Sequence, residues 1–200
     1  MYTSFAKVDW NTFNYIHSNN TREAFQRLTE QLFCVEFKQP YGIYRYYNQP
    51  YIETMPIRYG DEYIGFQSKY YDASTKLSDK VDELEEAING AFKKYPGLTK
   101  IVLYTNKEPG ISTKDGEEKP SYIQTVETYA TDRNISIDWR GLNQIETSLM
   151  NPASAYLRDY FFSTNGGIRK VLEQLQSHTS NIFNSLESKL YYKDREIKTC

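Results

Sequence analysis

The chain has 200 residues and a formal charge of −2, with 39% apolar and 25% charged side chains and an unusually high count of 19 tyrosines. That length suits one α/β domain with a single substantial core, and that charge excludes a polycation that coats nucleic acid over its whole surface. No run approaches the ~18 apolar residues that span a bilayer, and residues 1–20 lack a basic segment followed by an apolar one, so a cytoplasmic location away from membranes is expected.

Residues 1–20 read as a polar, irregular N-terminal segment. Asn20 or Thr21 then offers an N-cap, and Phe25, Leu28, Leu32 and Phe33 repeat at helical spacing, which predicts a first helix. Pro40 and Gly42 end it. From Gly42 to Asp72 the composition turns to Tyr, Ile, Thr and Phe, predicting strands over 42–47, 51–58 and 62–71, with Tyr59-Gly60-Asp61 as a tight turn. The stripe Leu77, Val81, Leu84, Ala87, Ile88, Ala91 and Phe92 predicts a helix over 75–94 that Pro96-Gly97 stops, with Asp72 as its cap. Residues 101–104 suit a buried strand, residues 106–120 a charged loop, 121–133 a helix and 135–139 a strand. Strands and helices alternating after a meander imply a mixed sheet with helices on both faces, over about residues 20–145.

The last quarter differs in pattern. A short helix is expected over 152–162, and Gly166-Gly167 breaks it. Ile168, Val171, Leu172, Leu175, Ile182, Leu186 and Leu190 then form a narrow stripe, which makes 150–200 a helical connector that packs against another copy or a following domain. His178, close to that stripe, reads as a packed histidine. Cys34 and Cys200, with His17 and His178, form neither a disulfide framework nor a zinc spacing, so both cysteines are expected as reduced thiols.

Chemistry concentrates in Tyr51 to Asp72. Gln67 and Lys69, two apart, share one face of a strand. Glu53 lies on the preceding predicted strand, and same-face placement with Gln67 and Lys69 is expected, Pro56 marking a bulge that resets the parity. Phosphodiester cleavage with a metal needs oxygen ligands for the ion and a cation where charge builds up, and a carboxylate, an amide and a lysine supply these.

Glu53 followed by Gln67-Ser68-Lys69 resembles the acidic residue and (D/E/Q)-x-K motif of PD-(D/E)XK nucleases. The element order is similar too. The stretches AFQRLTEQLF, YGIYRYYNQPYIETMPI, IGFQSKYYD and YLRDYFFSTNGGIRKVLEQL resemble Mrr-like nuclease domains at the N-terminus of antiviral STAND ATPases. The resemblance implies a restriction-endonuclease-like fold and Mg²⁺-dependent cleavage of duplex DNA, with Mn²⁺ able to substitute. It implies Glu53 as main metal ligand, Gln67 offering its amide oxygen to the same ion with the Ser68 carbonyl, and Lys69 positioning water and stabilising charge. It further implies self-association and a covalent continuation into an ATPase sensor. The chain departs from the commonest pattern at Gln67, where an acid is usual, and at Gln26, where a helix glutamate is frequent; Glu23 or Glu30 are the alternatives on that helix.

Arg45, Arg58, Lys76 and Lys80 are candidates for a phosphate-contacting rim or ordinary surface charges. Tyr41, Tyr44, Tyr46, Tyr47 and Tyr51 are expected to pack across strands, base stacking being the other use of such a group. Two rivals to the nuclease stay open: a degenerate nuclease fold that binds DNA or assembles, and an interaction domain without a nucleic-acid role.

Overall fold

A computed structural model describes residues 8–110 and 119–163. The predicted 168–190 helix, His178, Cys200 and most of the 106–120 loop lie outside these residues. Among the described residues the chain forms α1 (Trp10–Ile16), α2 (Thr21–Glu36), β1 (Ile57–Tyr59), β2 (Glu62–Lys69), α3 (Val81–Lys94), β3 (Lys100–Thr105), α4 (Ser121–Thr131), β4 (Ser136–Arg140), α5 (Leu142–Met150) and α6 (Ala155–Phe162). The strands make one mixed sheet in the order β1-β2-β3-β4. β1 and β2 are antiparallel, Tyr59 opposite Glu62, and Gly60 supplies the turn between them at φ +60°. β2, β3 and β4 run parallel, with Gln67 beside Leu103 and Lys69 beside Thr105.

The sheet separates two apolar layers. Ile64 and Phe66 of β2 and Val102 and Tyr104 of β3 pack against Phe25, Leu28 and Leu32 of α2, and against Ile145 and Leu149 of α5 and Leu157 and Phe161 of α6. On the other face Ile101 and Leu103 meet Leu84, Ile88 and Ala91 of α3 and Val126 and Ala130 of α4. Alternation along β2 follows: 64, 66 and 68 turn to α2, and Gly65, which closely approaches Ile52 and Leu98, turns with 67 and 69 to α3.

Several expectations require correction. Residues 1–20 are not irregular throughout, because Asp9 caps α1 by accepting from the Asn11 amide, and Phe13 enters the α2-side core. Trp10 packs edge-on to Phe162 at 5.1 Å, so α1 and α6 close one core with the sheet domain. The helix after β2 is a 3₁₀ turn at Leu77–Lys80 followed by α3, and Asp72 faces Arg22 at 3.8 Å instead of capping it.

The largest difference is residues 42–56, where the predicted strands 42–47 and 51–58 reduce to β1. Pro50 and Pro56 have no N–H for a ladder. Asn48 and Tyr51 take positive φ, 54° and 75°, which breaks an extended run. The stretch is tied instead by single bonds: Met55 N–H to the Tyr44 carbonyl at 2.8 Å and Glu53 N–H to the Phe66 carbonyl at 2.9 Å. The tyrosines therefore do not pack across strands. Tyr41, Tyr44, Tyr46 and Tyr47 are exposed.

Candidate functional site

The site is assembled where the irregular 42–56 stretch lies along the free edge of β2. Glu53 is fixed at that edge by its own amide, bonded to Phe66. Its carboxylate turns towards α2, where Gln26 Nε2 donates to Glu53 Oε2 at 2.7 Å. The expected same-face placement is not met: Glu53 lies on no strand and its carboxylate turns to α2, whereas Gln67 and Lys69 turn to the α3 side. Burial pushes the Glu53 carboxyl above the ordinary range, while the Ser68 backbone amide, the Lys69 ammonium and the Arg45 guanidinium pull it back and Glu30 adds to the rise. Glu53 thus sits within the electrostatic reach of Lys69, although the two side chains are not directly paired.

Gln67 is almost wholly buried, 2% exposed. Its Nε2 donates to the Tyr51 carbonyl at 2.9 Å. Its Oε1 is buried without a hydrogen-bond partner. An acid could not make the first of these contacts, since an ionised carboxylate has no proton to give a carbonyl. The amide at this position therefore anchors Tyr51, whose left-handed φ of 75° would otherwise be costly. The Tyr51 ring lies against Gly90 of α3, so close that a Cβ there would stand 2.1 Å from it. Tyr51 leads directly to Glu53, so Gln67 and Gly90 together set where the carboxylate begins.

Lys69 lies on the α3 side, its Nζ 2.9 Å from Glu83 Oε1. Lys80 reaches the other oxygen of Glu83 at 3.1 Å. Burial alone would raise the Glu83 carboxyl, but hydrogen bonds from Lys69 and Lys80 overcome it and hold the group below the usual carboxylate range. Burial and the Glu83 charge push the Tyr71 hydroxyl upward. Gln26, Ser68, Lys69, Lys80 and Glu83 all border one cleft of about 360 Å³ at the C-terminal end of β2. On the α2 side Ser68 Oγ meets Thr29 Oγ1 at 2.9 Å, which fastens the strand to the helix that carries Gln26.

Of the residues singled out by sequence, Gln26 and Glu53 meet on the α2 side of β2, while Gln67 and Lys69 turn to the α3 side, engaged by Tyr51 and Glu83; Lys69 reaches Glu53 through its charge. Glu23 borders the same cleft, but its carboxylate is exposed and bound to Arg27 at 2.6 Å. Glu30 is closer to the chemistry: burial raises its carboxyl against the opposing pull of Arg45 and Arg27, and it acts on Glu53. The four candidate rim cations do not form one surface. Arg45 is 4.0 Å from Glu30, Arg58 lies over the Tyr63 ring at 4.9 Å, Lys80 is bound to Glu83, and Lys76 is exposed ahead of the 3₁₀ turn. Glu83 is the residue that sequence reasoning missed. It stands in the first turn of α3 three residues after Lys80, a spacing that suggests a helix pair and gives no sign of Lys69.

A divalent ion such as Mg²⁺ takes oxygen ligands, and here Glu53 supplies a carboxylate and Gln67 an amide oxygen left without a partner. In kind these donors fit. In charge they are sparse: among the described residues no group of three or more His, Cys, Asp or Glu is placed to hold a metal. No known family model matches the sequence, and comparison with curated proteins finds no match.

Proposed function

We propose that this chain is a metal-dependent DNA endonuclease domain of restriction-endonuclease-like fold, acting on duplex DNA with little sequence preference. The observation that carries the reading is the edge of β2: a half-buried carboxylate, Glu53, lies beside the Ser68 amide and in the field of Lys69, and the strand itself carries a buried Gln67 oxygen that has no protein partner. The order helix, hairpin, helix, strand, helix, strand supports it. A bound divalent cation would supply polarisation of the phosphate and a more acidic attacking water. The chain's own residues do the rest. Glu53 and Gln67 would hold the ion, Gln26 orients the Glu53 carboxylate, and Lys69, held ready by Glu83, places positive charge where the phosphate gains negative charge. The cytoplasmic setting, the following ATPase sensor and activation by self-association belong to this proposal, on the strength of the sequence resemblance.

The test is nicking of supercoiled plasmid by chain fused to an oligomerising domain, in Mg²⁺ and in Mn²⁺. Lys69→Ala is expected to lower the rate by about 10²–10³-fold, the usual loss when one charge-stabilising group is removed, with its circular dichroism spectrum unchanged. Intact plasmid after prolonged incubation of the wild-type fusion, or equal rates for wild type and Lys69→Ala, would reject the enzyme. A second reading, a degenerate nuclease fold that binds DNA or drives assembly, is favoured by the engagement of Lys69 with Glu83 and by the amide at Gln67, which leaves Glu53 as the one carboxylate among Glu53, Gln67 and Lys69. Salt-dependent DNA binding without cleavage distinguishes it.

A further inference from the structure

Tyr41 is 100% exposed and Tyr47 95%, with Tyr44 and Tyr46 also largely in solvent. Tyrosine normally buries its ring and keeps its hydroxyl wet, so a run of open rings on one short stretch asks for an occupant. We propose that residues 41–51 form a stacking surface for the unpaired bases of a single-stranded nucleic acid.

Three observations favour that occupant. The first is local charge: between Phe37 and Tyr59 the cations Lys38, Arg45 and Arg58 outnumber the one acid, half-buried Glu53, with Arg45 4.0 Å from Glu30 of α2 and Arg58 over the Tyr63 ring. A segment with more cations than acids suits a polyanion. The second is that the backbone presenting the rings is held. Tyr46 N–H donates to Gln49 Oε1 at 3.1 Å, Gln49 N–H donates to the Tyr46 carbonyl at 3.2 Å, and Met55 N–H to that of Tyr44. The Tyr44 and Tyr46 rings meet edge to face at 5.1 Å. Rings with few free torsions on a tied backbone lose little entropy when a flat partner lands on them. The third is continuity: Gln49 Nε2 donates to the Ile52 carbonyl at 3.3 Å, so the stretch runs straight into Glu53. Bases in a duplex are already stacked on each other, whereas an unpaired strand offers every base face.

The surface narrows the substrate of the nuclease reading to duplex DNA that carries an unpaired segment, and in that respect rests on it; binding itself does not. The experiment is fluorescence anisotropy of the full chain with a labelled oligothymidylate of about twenty nucleotides, long enough to cover one binding site, and with a duplex of equal length. EDTA is present throughout. The single strand is expected to bind about tenfold or more tighter than the duplex. The double variant Tyr41→Ala/Tyr47→Ala is expected to lose about tenfold or more on the single strand only, stacking being strong enough for that, while keeping its circular dichroism and melting temperature. Absence of single-strand binding, or equal affinity of the variant, overturns the proposal. So does a variant that loses only self-association, which would make a second copy the occupant. Binding with this tyrosine dependence alongside a failed plasmid assay sinks the nuclease and leaves the surface standing; cleavage without tyrosine dependence does the reverse.

Discussion

The centre of the sheet and the stretch along its edge are built from similar residues and reach order by opposite routes. β3 is Ile101-Val102-Leu103-Tyr104, buried on both faces and laddered to β2 and β4 on both sides. Residues 42–56 are equally rich in tyrosine and isoleucine. They belong to no ladder, carry Pro50 and Pro56, and are fixed by separate contacts: Gln67 on Tyr51, Gly90 beneath its ring, Glu53 on Phe66. A ladder is redundant, since losing one bond leaves its neighbours. A chain held by single contacts is not, and moving one of them moves the side chains it presents. The difference places stability in one region and the candidate chemistry in the other.

Truncation in the layered part should have the largest effect. Phe66→Ala, on the α2 face of β2, is expected to cost about 3–5 kcal/mol through lost burial and a cavity, read from urea unfolding. A smaller value would mean that the sheet yields around the space. Next is Gly90→Ala. Replacing glycine within an exposed helix normally gains up to about 1 kcal/mol, but here the new methyl meets the Tyr51 ring. A net loss of about 1–3 kcal/mol is expected from such overpacking, and adding Tyr51→Ala should recover most of it. Stabilisation by Gly90→Ala alone would show that Tyr51 does not hold the edge. The smallest effect concerns pH. The folded Glu53 carboxyl titrates above its ordinary value, so the folded state binds this proton more tightly than the unfolded one. Its contribution is therefore favourable below the ordinary value and lost as pH rises through the raised one. In EDTA, Glu53→Gln should be somewhat more stable than wild type at neutral pH, the gap closing towards the usual carboxylate range. A gap that widens on acidification would give the shift the opposite sign.

What the sequence disclosed follows the same division. Leu84, Ile88 and Ala91 announce α3 because burial against a sheet enforces helical periodicity, and Ile101 to Tyr104 announce β3 because both faces are covered. Tyr59-Gly60-Asp61 announces its turn through the positive φ that Gly60 provides. Helix α1 was not legible, since one buried residue, Phe13, makes no stripe. Over 42–47 and 51–58 the residue types point to strands, of which only Ile57–Tyr59 forms, because tyrosine and isoleucine favour strands only where a partner is available, and Pro50 and Pro56 lack donors that a ladder needs. At the site, Glu53, Gln67 and Lys69 could be named from type and spacing. Their partners could not: Gln26 on Glu53 joins residues 27 apart, and Lys69 on Glu83 joins residues 14 apart, pairings that only the folded chain creates. Gln67, an apparent loss of an acid in the sequence, proves to be the donor that Tyr51 requires.

The account depends on Glu53 and Gln67 presenting oxygen to a divalent cation at the edge of β2. Isothermal titration of the full chain with Mn²⁺ at neutral pH, wild type against Glu53→Gln, tests this most directly. One saturable site in the wild type that disappears in the variant, with folding retained, is the predicted result. Equal heats from both proteins, or none from the wild type, would contradict it.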